Sequence, residues 1–298
     1  MKIIVPQSLF IVNLKYKNLC DIPFAYSQML SSGGKDFVMH KNTFLDKINS
    51  FNKKKIISVY CKTDYIHSLL NIIKNMSLKF ILFTGCSDTT IDYNLFLNRP
   101  KNVIKWFGEN PSFQDKDFIP TPIGSLGGSW IGNEEIIPEL KSHKNFVQTH
   151  VDNKEKNIKN MILLSFSLHT NYNHRKEMYK YFKDKKYVTN LVSTNNVKKL
   201  TESEFCNMIY NHEFILSPEG NGIDCGRTWM ALQLGSIPIV KSSPFTEYFR
   251  NKLPIFIYKK LEEITTENLI NFKKNANYNY DLININYYKN LIQKITES

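Results

Sequence analysis

The sequence predicts a two-domain α/β protein whose parallel sheets face each other across a cleft. Three observations carry that expectation. The chain has 298 residues, which suits about two domains at roughly 150 residues each. Strand-like and helix-like segments alternate along the first half and again along the second, the pattern of sheets built from β-α-β units. Residues 216–240, LSPEGNGIDCGRTWMALQLGSIPIV, place a glycine-rich loop and a helix between two apolar strands. Ligands of open α/β sheets bind at such strand ends. The domains are expected at residues 1–150 and 151–275, with a final helical segment at 276–298.

The elements follow in order. Residues 1–18, MKIIVPQSLFIVNLKYKN, are apolar but broken by Pro6, Gln7, Ser8 and Asn13. Without a small-residue cleavage site they read as a first strand, not a leader peptide. Residues 55–60 are a strand. Residues 64–76 are a helix, with Ile66, Leu69, Leu70, Ile73 and Met76 near helical spacing. Residues 79–83 are a buried strand opening into Thr84-Gly85-Cys86-Ser87-Asp88, and strand 103–107 leads into Gly108-Glu109-Asn110-Pro111. A proline- and glycine-rich segment follows at 119–124, then Gly127-Gly128. The polar stretch 151–160 reads as a linker or surface helix.

The second series comprises strand 161–166, helices 175–182 and 202–210, strand 213–216, the glycine unit, strand 255–258 and a last helix at 282–295. Within the glycine unit, Pro218 to Gly222 cannot continue a strand. Asp224 is placed as the helix N-cap, where a short carboxylate accepts from free first-turn amides. Trp229, Ala231, Leu232 and Leu234 form the apolar face, and Gly235 suits the C-terminal end.

Composition narrows the function. Hydrophobic residues make up 42% of the chain, enough for two cores, and no apolar run approaches the ~20 residues of a membrane span. The formal charge of +12 favours anionic partners. Its lysines are scattered and no nucleic-acid motif accompanies them, so a solvated surface is the better reading than nucleic-acid binding. Five cysteines without a C-x-x-C pair indicate neither zinc nor a disulfide framework. A cytoplasmic setting fits them.

The stretch FILSPEGNGIDCGRTWMALQLGSIPIVKSSP resembles the nucleotide-sugar-binding signature of exostosin-like glycosyltransferases. FILFTGCSD, KWFGENP with PTPIG, and LSFSLHTNYNHRKEMY are similar to a subgroup of that family common in large DNA viruses, protists and bacteria. The resemblance covers most of the chain. It implies the GT-B fold, two Rossmann-like domains facing across a cleft. It further implies a nucleoside-diphosphate-sugar donor on the C-terminal domain, a glycan or glycosylated acceptor on the N-terminal one, and a last helix crossing back to the N-terminal domain. The family's usual acid before Ala-Leu is Met230 here. The ribose contact then falls to Glu219 or to backbone groups, or activity is weak.

Charge builds on the departing diphosphate as the glycosidic bond breaks. Backbone amides of the loop Glu219-Gly220-Asn221-Gly222, the following helix start at Asp224, Arg227 and Thr228, and Arg175 at the mouth of the preceding helix are the candidate donor-binding groups. Taken singly, Asp224 is as good a plain cap as a ligand group, and Arg227 reads as a surface residue paired with Asp224 three positions earlier. Asp88, after strand 79–83, is the candidate base for the acceptor hydroxyl, with Asp64 and Glu109 as alternatives. Arg227 joins Asp88 as the candidate catalytic pair. Asp115-Lys116-Asp117 spells a metal-nucleotide motif in a polar loop but reads as a chance match, so no metal is expected. Two rival readings are a non-catalytic glycan- or nucleotide-binding protein of the same fold and a basic nucleic-acid-binding protein.

Overall fold

The computed structural model describes residues 13–30, 33–124, 158, 160–192, 200–274, 278 and 280–297. Residues 1–12 of the apolar start, Gly127-Gly128, the domain boundary near 150 and most of the polar stretch after it lie outside these residues. Residues 13–18, expected to belong to a first strand, instead form a helix (Asn13–Leu19) that buries Tyr16 against Phe83 and Tyr288.

The first half forms one six-stranded sheet. Its strands are β1 (Ile22–Leu30), β2 (Gly33–Val38), β3 (Ile56–Lys62), β4 (Lys79–Gly85), β5 (Val103–Gly108) and β6 (Phe118–Pro120). Their order is β2-β1-β3-β4-β5-β6. Only β1 and β2 are antiparallel; the other neighbours run parallel. The helices are α1 (Asn13–Leu19), α2 (Lys41–Ser50), α3 (Ile66–Ile73) and α4 (Tyr93–Leu97).

Side chains of a strand alternate between faces, and this sheet uses both. Val59, Phe80, Leu82 and Trp106 pack with Phe44 and Ile48 of α2, Leu69 and Ile73 of α3 and Phe96 of α4. Tyr60, Ile81, Phe83 and Phe107 point the other way. The sequence pattern did not announce the β1–β2 hairpin. A bulge between Pro23 and Ala25 buries Phe24 and Ala25 in succession, which breaks the two-residue alternation of a strand. Helix α3 is also shorter than its periodicity suggests, because residues Thr63–Tyr65 form a 3₁₀ turn.

The second half forms a wholly parallel five-stranded sheet of β7 (Asn160–Leu164), β8 (Val188–Asn190), β9 (His212–Leu216), β10 (Ile237–Lys241) and β11 (Phe256–Tyr258). Its order is β11-β10-β9-β7-β8. The direction of winding therefore reverses between β7 and β9. The helices are α5 (Tyr172–Phe182), α6 (Glu202–Tyr210), α7 (Gly226–Gln233), α8 (Pro244–Tyr248), α9 (Thr266–Lys274) and α10 (Ile285–Glu297). Met178 and Phe182 of α5 and Leu269 of α9 cover one face of the sheet. Ile209 of α6 with Met230 and Ala231 of α7 cover the other.

One apolar cluster joins the halves. Phe83 and Phe107 stack with centroids 4.3 Å apart. Tyr16 of α1 meets Phe83 at 5.8 Å and Tyr288 of α10 at 5.2 Å. The cluster continues into Trp229 and Leu232 of α7, Phe245 of α8 and Phe249. The last helix thus lies against the N-terminal sheet. Among the described residues, no helix is long and apolar enough to cross a membrane.

Candidate functional site

The site begins where β7 and β9 diverge. Their following loops flank the crevice that an open sheet creates at such a reversal. Ser217 extends β9 by one bond, its amide donating to Ile239 O at 2.9 Å. Pro218 then ends the strand. The loop closes on itself where Gly220 N donates to Gly222 O at 3.1 Å.

Arg175 projects from the first turn of α5 across this crevice. It is 5% exposed. Its Nε donates to Glu219 O at 2.9 Å and its Nη1 to Ser167 O at 2.9 Å. One guanidinium thus ties the loop after β7 to the loop after β9. A side chain at Gly220 would bring its Cβ to 3.3 Å from Arg175 Nη2, so glycine leaves the guanidinium its place.

Arg227 approaches from α7. Every other residue of α7 is buried, and Arg227 alone stays half-exposed. Its Nη1 donates to Cys225 Sγ at 3.5 Å, while its buried Nε has no hydrogen-bond partner among the described residues. The two guanidinium carbons lie 5.9 and 6.0 Å from the Phe166 ring centroid. Neither arginine forms an ion pair among the described residues. Burial, and after it the Arg227 charge, lower the pKa of Arg175 from its ordinary value. Two cations held together and partly dehydrated, one with an idle donor, are arranged for an anion.

Asp224 does not cap the helix. Cys225 occupies the N-cap position and makes no side-chain cap bond. The local preference for Asp at a cap lost to a tertiary contact. The Asp224 carboxylate, 7% exposed, turns toward the seam between the halves. It accepts from Ile123 N, from Cys225 N and, at 2.8 Å on each oxygen, from Trp229 Nε1. It therefore does not pair with Arg227.

Burial raises the Asp224 pKa to about 7, offset in part by the Ile123, Trp229 and Cys225 hydrogen bonds. A carboxyl with a raised folded pKa holds a proton that the unfolded chain has lost. Its contribution to stability is present at low pH and declines as pH rises from about 4 through about 7. The melting temperature of Asp224→Asn is expected to depend less on pH across that window than that of the parent. Parallel slopes for the two proteins would place the ionisation elsewhere.

Met230 is 2% exposed and lies in the apolar layer between α7 and α6, with Ile209 and Leu234. It does not face the crevice. An acid there would be buried among apolar groups, so Met230→Glu is expected to lower stability by several kcal/mol, read as a collapsed melting temperature without tighter nucleotide binding. The other candidates divide. Glu219 is half-buried with its pKa raised by burial, less so because of Lys241. Asn221 is exposed. Thr228 is buried, its hydroxyl 2.9 Å from that of Ser217.

Gly222 faces the other half of the molecule. A Cβ there would lie 3.0 Å from Asn110 Nδ2 and 3.1 Å from its Oδ1. Asn110 Oδ1 accepts from Asp224 N at 2.7 Å and its Nδ2 donates to Ser87 O at 3.0 Å. The loop after β4 and the glycine loop are therefore neighbours. Asp88 is exposed on the former. Asp64 accepts from Ser87 Oγ and Thr89 Oγ1 and pairs with Lys62. Glu109 is 1% exposed, and Cys86 N donates to its Oε2. Gly85 makes room for it, since a Cβ there would come within 2.6 Å of the carboxyl.

Asp117 lies just before β6, at the starting end of the parallel strands and away from the loops that follow β4 and β5, paired with Lys105 and Arg99. Asp115 accepts from Asp117 N. Sequence reasoning missed Asn110 and the Trp229–Asp224 contact. The turn Gly108-Glu109-Asn110-Pro111 after a strand was the available signal for the first, and nothing local signalled the second.

The solved structures that resemble the chain include two α1,3-fucosyltransferases. One is the crystal structure of an α1,3-fucosyltransferase, with a TM-score of 0.46 and 14% identity over 81% of this chain and 78% of that one. The other is an α1,3-fucosyltransferase with GDP-fucose, with a TM-score of 0.43 and 12% identity over 82% of this chain and 90% of that one. No family model matches the sequence, and no curated protein matches it.

Proposed function

We propose that the protein is a GT-B glycosyltransferase that moves a sugar from a nucleoside diphosphate to a hydroxyl of a glycan or glycosylated acceptor. One observation carries the reading. Arg175 and Arg227 converge at the winding reversal of the C-terminal sheet without an acidic partner among the described residues, and Arg227 keeps a buried, unused Nε. A diphosphate satisfies both. As the bond from the sugar's anomeric carbon to the phosphate oxygen breaks, its electron pair moves onto the diphosphate. The paired guanidiniums, with the amide end of α7, meet that developing charge. The acceptor hydroxyl forms the new bond and gives up its proton, which Asp88 on the facing loop takes in this reading.

The chemistry on the donor side asks for no metal. Asp117 is engaged by Lys105 and Arg99 at the starting end of its sheet's parallel strands. Activity is expected to survive chelator. Loss in EDTA, restored by manganese, would overturn that part. The exostosin-like resemblance and the cytoplasmic setting belong to the same proposal.

The direct experiment is a thermal-shift series with nucleoside diphosphates, followed by donor hydrolysis. A diphosphate at a hundred times its Kd should stabilise the fold by about 2.7 kcal/mol. Stabilisation without hydrolysis or transfer would favour a non-catalytic nucleotide-binding protein. No shift with any diphosphate would remove the donor site.

A further inference from the structure

We infer that Asn110 is a positioning residue, whose amide holds the glycine loop of the C-terminal half in register with the ligand edge of the N-terminal half. The inference rests on the diphosphate reading of the glycine loop and adds what sets that loop in place. Asn110 follows β5 and Glu109. It is 2% exposed and adopts a left-handed backbone, with φ of 54°. Asparagine tolerates that region better than other side-chain-bearing residues. The conformation turns its amide toward the other half of the molecule.

Both ends of that amide are used, each on a different half. Nδ2 donates to Ser87 O at 3.0 Å, and Oδ1 accepts from Asp224 N at 2.7 Å. The chemistry fixes this orientation, because a carbonyl needs the NH₂ and an amide N–H needs the oxygen. Gly222 closes over the group, with room for no Cβ above Nδ2, Oδ1 or Cγ, which would lie at 3.0, 3.1 and 3.3 Å. The amide is thus clamped between the loop that bears Asp88 and the loop that leads to Arg227. A shift of either loop must break a bond or strike the other. The two proposed half-sites are spaced by this one side chain.

The test is a two-residue cycle. Asn110→Gly keeps the left-handed backbone without strain and removes both hydrogen bonds. Gly222→Ala keeps Asn110 and pushes its amide. Binding of uridine and guanosine diphosphate is measured by calorimetry at a temperature where circular dichroism shows each variant folded. Each single change is expected to weaken diphosphate binding about tenfold. The double variant is expected to be no worse than either single, because the new methyl enters the space that the amide left. Full additivity, or unaltered affinity in Asn110→Gly, would overturn the inference.

Hydrogen exchange supplies a readout that needs no ligand. Asn110→Gly should raise exchange in both loops, residues 86–89 and 220–226. Unchanged exchange in either loop would also overturn the inference. If the parent binds neither diphosphate, the donor-site reading fails while the exchange result still decides whether Asn110 couples the loops. Should Asn110→Gly not fold, Gly222→Ala carries the same exchange measurement.

Discussion

Alanine at Arg227 is expected to weaken nucleoside diphosphate binding by about ten- to a hundredfold and to leave the melting temperature nearly unchanged. The first half of that expectation follows from removing a charge-assisted contact worth roughly 1.5–3 kcal/mol, where each 1.4 kcal/mol is about a factor of ten. The second half follows from the free protein. Arg227 is the one half-exposed residue of α7; among the described residues its hydrogen bond is a 3.5 Å contact to sulfur, and its buried Nε has no partner there. Removing the unsatisfied donor relieves a cost, and the bond lost with it is only the long, weak contact to Cys225 Sγ.

Arg175 provides the contrast. Its guanidinium is buried and bonded to Ser167 O and Glu219 O, so Arg175→Ala should lose both ligand affinity and stability. Calorimetric Kd values and melting curves for the two variants separate the roles. An Arg227→Ala protein that binds every diphosphate as tightly as the parent would show that the pair does not hold the donor.

Trp229→Ala should be the most destabilising single change at the site, at about 3–5 kcal/mol. The ring is 1% exposed, lies 5.2 Å from the Phe249 ring and sits in the cluster that also contains Phe83, Phe107 and Tyr288. Truncation opens a cavity where the two halves meet. It also strips Asp224 of the indole donor that reaches both its oxygens, leaving a buried carboxylate with two amides. Trp229→Phe separates these effects, since it fills most of the space but donates nothing. Its cost should be about 1–3 kcal/mol, the penalty of an unpaired buried polar group, and smaller below pH 7, where a protonated Asp224 needs fewer donors. Denaturant melts of the two variants at pH 5.5 and 8 measure this. Equal losses at both pH values for Trp229→Phe would mean that the indole N–H does not stabilise the charged form.

The readable parts of the fold are those whose signal is local. Residues 79–85, 103–108 and 212–241 show their strands, turns and helix because pleat and helix periodicity act over a few residues. Arg175 and Arg227 were legible as candidates because each stands just after a strand-and-loop, at a helix mouth. The hairpin of β1 and β2 was not legible, because its bulge hides the alternation. Asp224 was misplaced by a local rule: a cap preference acts over three residues, whereas the carboxylate is held by Ile123 and Trp229. Met230 had the right position in the pattern for a ligand contact, yet α7 is buried nearly all round, and periodicity cannot say which buried face looks into the crevice.

By itself the sequence determined the alternation of strands and helices, the glycine loop between β9 and α7, and the arginines at the mouths of α5 and α7. Those features depend on neighbours along the chain. Only the tertiary structure decided that Arg175 and Arg227 share the Phe166 ring, that Gly222 closes on Asn110, and that Asp224 binds the N-terminal half through Ile123 N. The Asn110–Asp224 and Ile123–Asp224 hydrogen bonds at that seam span 114 and 101 residues. At that separation no turn preference or hydrophobic period links the partners. They meet because burying the cluster around Trp229, Phe83 and Tyr288 drives the halves together, and the polar groups trapped at that seam must then find one another or remain unsatisfied.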